Sequence, residues 1–184
     1  MSGALDKLKA CLGKGKLHGL THTGVTVRDF EAAVKWYNEM FGWHLINELI
    51  IEGEAADALA ALYGQKGLKV RLGFLGTQSS NVLEIFEFLP KTPEEPVVWT
   101  RPGYTHCAIS VTNAFAVKAQ LEAKGVEFVT DVQYSGGAHW AFMRDLDGNL
   151  IEIIDYHMNR IPIASMSNLV GRILKKTQFG HYYM

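Results

Sequence analysis

Two stretches of the chain match each other position by position: Thr21-His22-Thr23-Gly24-Val25-Thr26-Val27 and Thr105-His106-Cys107-Ala108-Ile109-Ser110-Val111. In both, Val or Ile alternates with small or polar residues, the period-two pattern of a strand that buries one face. A helical period follows each. Phe30, Ala33, Val34, Tyr37 and Phe41 share one face between a capping Asp29 and a terminating Gly42; Ala114, Val117 and Leu121 do so between Asn113 and Gly125. Short β-branched and aromatic runs then predict strands at Trp43 to Ile51, Val70 to Leu75 and Val82 to Phe88, and again at Glu127 to Val132, Ala138 to Met143 and Leu150 to Tyr156. The last strands also match, Asn81-Val82-Leu83-Glu84-Ile85-Phe86-Glu87-Phe88 against Asn149-Leu150-Ile151-Glu152-Ile153-Ile154-Asp155-Tyr156. Each half therefore reads βαβββ, and the duplication predicts an α+β fold of two tandem modules.

The first half is longer by a stretch that fits Glu52 to Gly67, where Ala55, Ala58, Leu59 and Leu62 predict a short inserted helix placed to roof a pocket. Pro90, Pro93, Pro96 and Pro102 cluster between the halves, where they can neither complete a strand ladder nor continue a helix. The expected organisation is a basic extension at 1–17, a first module at 18–90, a Pro-rich linker at 91–103, a second module at 104–157 and a basic tail at 158–184. Leu169, Val170, Ile173 and Leu174 predict that this tail carries an amphipathic helix used for packing or dimer contact rather than for a membrane.

Strand alternation puts His22, Gly24 and Thr26 on one face and Val25 and Val27 on the other; it likewise sets His106, Ala108 and Ser110 against Ile109 and Val111. Glu84 lies opposite Leu83 and Ile85, and Glu152 opposite Ile151 and Ile153. A lone carboxylate in the middle of an apolar strand costs several kcal/mol unless it finds a cation or a metal. No Lys or Arg repeats beside these two. Two imidazoles and two carboxylates supply four donors to a divalent first-row ion and leave positions open for catalysis, so His22, Glu84, His106 and Glu152 are expected to converge on one ion.

Composition narrows the function classes. With 184 residues, 48% hydrophobic and 20% charged, the chain is an ordinary globular one. Its net charge of −1 argues against nucleic acid as a partner. The charge is unevenly spread: Lys7, Lys9, Lys14 and Lys16 face only Asp6 near the start, and Arg160, Arg172, Lys175 and Lys176 face no acid after residue 155. Cys11 and Cys107 make no disulfide framework, and the absence of a signal-type or spanning apolar run predicts a cytoplasmic protein without a membrane partner.

On the segments HTGVTVRDFEAAVKWYNEMFGW, VLEIFEF, THCAISV and RDLDGNLIEI, residues 18 to 157 resemble the vicinal oxygen chelate superfamily. That superfamily includes glyoxalase I, methylmalonyl-CoA epimerase, extradiol dioxygenases and the fosfomycin and bleomycin resistance proteins. The resemblance implies two βαβββ modules forming a cup-shaped mixed sheet, with His22, Glu84, His106 and Glu152 at the ligand positions. It implies one divalent ion (Ni, Zn, Mn, Co or Fe) and a small-molecule substrate bound through adjacent oxygens; a homodimer is expected from the basic ends and the amphipathic tail instead. A His-Glu-His-Glu set is similar to the lyase and isomerase branch, with Glu152 or Glu84 as the general base. The alternatives are an extradiol-type Fe(II) dioxygenase, whose Tyr and Pro ahead of the last Glu are here Phe142 and Leu146, and a resistance-type binding protein. Phe86-Glu87-Phe88 stands where glyoxalase I has Thr, an aromatic or His, and Asn. Tyr134, His139 and Trp140 beside Ser135-Gly136-Gly137 read as a surface loop in preference to a lid over the cup. Arg71 and Arg144 read as surface charges in preference to carboxylate clamps, and Cys107 as a small core residue.

Overall fold

In the computed structural model, which describes residues 19–79, 81–93 and 98–183, the halves fold as two four-stranded mixed sheets, each backed by one main helix. The basic extension at 1–17, Cys11, His18 and Pro96 lie outside the described residues. The first half runs β1 (His22–Thr26), α1 (Phe30–Phe41), β2 (His44–Ile51), two short helical turns α2 (Glu54–Asp57) and α3 (Ala60–Tyr63), β3 (Lys69–Gly76) and β4 (Val82–Leu89). The second runs β5 (Cys107–Ser110), α4 (Ala114–Glu122), β6 (Gln133–Ser135), β7 (Ala138–Arg144) and β8 (Leu150–Asp155). Strand orders are β1-β4-β3-β2 and β5-β8-β7-β6, so the first and last strands of each half lie side by side and parallel.

Both main helices start where the sequence signals place them, and α1 also stops there, whereas α4 ends at Glu122, three residues before Gly125. Asp29 accepts the Ala32 N–H at 2.9 Å, and Gly42 closes α1 in the left-handed region at φ 68°. Asn113 accepts the Ala116 N–H at 3.1 Å at the start of α4. The apolar faces meet in one core that crosses both halves: Phe30, Ala33 and Tyr37 of α1, Leu75, Leu83 and Ile85 of the first sheet, and Ala141, Met143, Ile151 and Ile153 of the second. Full burial of a side chain of this size contributes about 1.5–3 kcal/mol.

Two expectations are corrected. Glu127 to Val132 forms no strand; it makes one isolated bridge, Phe128 to Met143, and the strand paired with β7 is β6. The cause is local: the Thr130 hydroxyl accepts the Phe142 N–H at 3.0 Å, and Val129 N–H donates to Phe142 O at 2.7 Å, so a side chain occupies the ladder position. The insertion forms two helical turns rather than one helix, broken where Leu59 leaves helical geometry at φ −99°, ψ 10°. It still roofs the first sheet, with Ala56 buried and the Tyr63 ring 5.4 Å from Phe88.

After β8 a single-turn 3₁₀ segment, His157–Asn159, leads to α5 (Arg160–Ala164), α6 (Ser167–Thr177) and a second 3₁₀ turn, Gly180–Tyr183. None of these elements buries a side chain. No described helix is long and apolar enough to cross a membrane.

Candidate functional site

The parallel pairing of β1 with β4 sets Gly24 beside Glu84, and that of β5 with β8 sets Ala108 beside Glu152. Two positions before each small residue stands a histidine on the same face. The consequence is a pair in each half: His22 Nε2 lies 3.3 Å from Glu84 Oε2, and His106 Nε2 lies 3.4 Å from Glu152 Oε2. Gly24 makes room here, since a Cβ at that position would stand 3.3 Å from the Phe86 ring and 4.0 Å from Glu84 Oε2.

The preceding threonine orients each imidazole, Thr21 Oγ1 at 3.1 Å from His22 Nδ1 and Thr105 Oγ1 at 2.9 Å from His106 Nδ1. A hydroxyl serves either tautomer: it donates to a bare Nδ1 when Nε2 carries the proton, and accepts from Nδ1–H when Nε2 is free to bind a metal. The repeated Thr-His dipeptide is plain in the sequence, but this role of its threonine was not assigned there. An aromatic ring also recurs, Phe74 registered with Glu84 and Phe142 with Glu152, each ten positions ahead of its glutamate. That spacing is a legible signal the sequence reading missed.

The pairs differ in their cover. Trp99, from the segment between the halves, stacks on His106 at 5.4 Å and meets Phe142 edge-on at 5.3 Å. The His106 side chain is 27% exposed and that of His22 47%. No sequence signal announced Trp99. Burial pushes the Glu152 carboxyl above its usual range, with the neighbouring His106 acting in the opposite direction.

Each pair offers one nitrogen and one carboxylate, half of a four-donor shell with the chemistry that divalent first-row ions take. Among the described residues, no three His, Cys, Asp or Glu side chains come together in a way that holds a metal. The four expected ligands thus stand as two pairs within one chain, not as one cluster.

The same face extends from Glu84 past Phe86 to Phe88, whose rings lie 5.9 Å apart, into a groove of about 920 Å³. Thr26, Tyr63, Phe88, Lys91, Arg28 and Arg144 line it, with Asp147 held by Arg28 at 3.2 Å. Arg71 lies elsewhere, bound to Glu48 at 2.7 Å and Glu31 at 3.1 Å beside α1. Trp140 donates to the Ser135 hydroxyl at 2.8 Å, whereas His139 turns to the opposite face and meets His157 at 2.7 Å. Cys107 is largely buried and its thiol is pushed up to about 11 by that burial, leaving it an unreactive neighbour of the site.

Comparison with known proteins agrees with this architecture. Over 156 residues the chain is 31% identical to a lactoylglutathione lyase of Schizosaccharomyces pombe, an alignment covering 81% of this chain and 51% of that one; the chain spans about half the length of this curated relative. A glyoxalase family protein from Bacillus cereus superposes with a TM-score of 0.64 at 23% identity, covering 78% of this chain and 97% of that one. The trypanothione-dependent glyoxalase I of Leishmania major does so with 0.56 at 22%, covering 87% and 97%. A family model matches residues 19–153, a span that holds both His–Glu pairs and all of the duplicated sheets but the last two residues of β8, and by it the chain belongs to the Glyoxalase/Bleomycin resistance protein/Dioxygenase superfamily.

Proposed function

We propose that the chain is a divalent-metal-dependent lyase or isomerase of the glyoxalase type that moves a proton on a small substrate bearing two adjacent oxygens. Each site is completed by two copies, His22 and Glu84 of one meeting His106 and Glu152 of the other. The observation that carries this reading is the duplicated pair. Two geometrically matched half-shells, each with its orienting threonine and neither with a third donor, need a second half-shell to hold an ion. A two-fold dimer supplies it twice.

A bound divalent ion polarises a substrate carbonyl and lowers the cost of negative charge on its oxygen. The chain's own residues do the rest. Thr21 and Thr105 hold the imidazoles in one orientation. Glu152, desolvated beside Phe142, accepts the carbon-bound proton and returns it at the neighbouring carbon; Glu84 serves as a ligand in its own half. The aromatic rings keep bulk water from the reacting carbon. The groove beyond Phe88 receives the non-reacting part of the substrate, and Lys91, Arg28 and Arg144 bias it toward an anionic one.

Elemental analysis of protein purified without added metal, with a panel of hemithioacetal, 2-acyl thioester and catechol substrates, tests the reading. About one ion per chain and turnover of a hemithioacetal or thioester are expected. Glu152→Gln should keep most of the metal and lose about 10²–10⁴-fold in turnover, as loss of a general base does. His22→Ala should shed the ion. Equal loss of metal and turnover in Glu152→Gln would refute the base assignment, and oxygen uptake with catechols would replace the lyase by a dioxygenase.

A further inference from the structure

We infer that the C-terminal helix α6 of one copy docks on the β2 edge and the helical insertion of a second copy. This rests on the pairing of copies just proposed and identifies a surface that holds them together. After residue 155 the chain carries Arg160, Arg172, Lys175 and Lys176 and no acid. Residues 46–62 are the reverse: Glu48, Glu52, Glu54 and Asp57 with no Lys, Arg or His. Arg71 and Lys69 answer Glu48 and Glu52 within the chain, whereas Glu54 and Asp57 face no cation among the described residues.

The apolar surfaces match as the charges do. In α6, Leu169, Val170, Ile173 and Leu174 form one stripe, with Lys176, seven positions after Leu169, at its edge and Arg172 and Lys175 off it. Leu169 is 50% exposed and Ile173 54%, and no side chain of the tail is buried against its own sheets. On the other side β2 is an edge strand, and this segment exposes Ile46 at 63%, Leu49 at 51% and Leu62 at 76%. Isolated exposed apolar residues need no explanation, but two such surfaces with opposite charge on one chain do.

Charge also decides against other occupants. Two copies of α6 packed on each other would bring Arg172, Lys175 and Lys176 against themselves. Residues 1–18, with four Lys and one Asp, carry the same sign as the tail. An anionic lipid surface would attract the tail and repel the sheets, since residues 19–155 hold 18 acids against 10 Lys and Arg. A reciprocal contact, tail on β2 twice over, closes as a dimer.

Sedimentation equilibrium of the full chain tests this. Leu169→Glu with Ile173→Glu, and separately Lys175→Glu with Lys176→Glu, are expected to weaken dimerisation by about tenfold or more at low salt, with unchanged circular dichroism. Glu52→Lys with Glu54→Lys should weaken it likewise, and all four charge reversals in one chain should restore it. His22→Ala should lose metal while the tail-dependent association persists, which separates this contact from the metal reading. A monomer at all concentrations, a dimer indifferent to the reversals, or sedimentation of the chain with vesicles of 30% phosphatidylserine that Lys175→Glu with Lys176→Glu abolishes, would each overturn the inference.

Discussion

Asp155, at the end of β8, shows how a single carboxylate can fix two elements. It accepts the Asn113 N–H at 2.7 Å and the His157 N–H at 2.9 Å, so the cap of α4 and the start of the tail hang on one side chain. Burial alone would push its carboxyl up, but these two N–H groups and the neighbouring His157 and His139 rings hold it below the usual carboxylate range. A folded-state pKa below the unfolded one stabilises at pH values above the unfolded pKa, about 3.9, and that contribution disappears as pH falls through the folded value. Asp155→Asn is therefore expected to cost about 1–2 kcal/mol at neutral pH and progressively less toward pH 3, measured as urea unfolding across pH. The cap residue Asn113 was legible in the sequence; its anchor was not, because no local pattern links positions 42 residues apart.

At the scale of elements, small residues decide how closely the helix lies on the sheet. A Cβ at Gly73 in β3 would come within 2.7 Å of the Phe30 ring, 2.8 Å of Asn47 O and 2.8 Å of Leu45. The equivalent position in the second sheet is Ala141, fully buried, registered with Ile153 as Gly73 is with Ile85. Gly73→Ala should lower stability by about 1–3 kcal/mol through overpacking, read as a shifted denaturation midpoint with an unchanged slope. Helices and most strands were legible because caps and periodicity are local. The segment Glu127 to Val132 was not, since β-branched residues set up the expectation and a threonine hydroxyl, whose target Phe142 lies twelve positions on, replaced the ladder.

Across the whole molecule the halves are joined by a polar knot at the β7–β8 turn. Tyr37 donates to Asp145 at 2.8 Å, Asp145 also accepts from Asp147 N–H and from both nitrogens of Asn149, and the Asn149 side chain donates to Thr26 O at 3.2 Å. Removing the hydroxyl in Tyr37→Phe should cost about 1–2 kcal/mol, and Asp145→Ala, which orphans several donors, about 3 kcal/mol or more, measured by equilibrium unfolding. The turn was legible from Asp147-Gly148, and the duplicated fold from the repeat. That the four donors form two pairs in one chain was not legible, because the placement of one half against the other depends on contacts such as Tyr37 with Asp145, 108 positions apart. The parallel closure of each sheet has a final consequence for biosynthesis. In the first module His22 lies on the first strand and Glu84 on the last; in the second His106 stands one residue ahead of the first strand and Glu152 lies on the last. A nascent or clipped chain that ends before the closing strand owns the imidazole without its carboxylate. Each His–Glu pair thus comes into being only with a finished sheet.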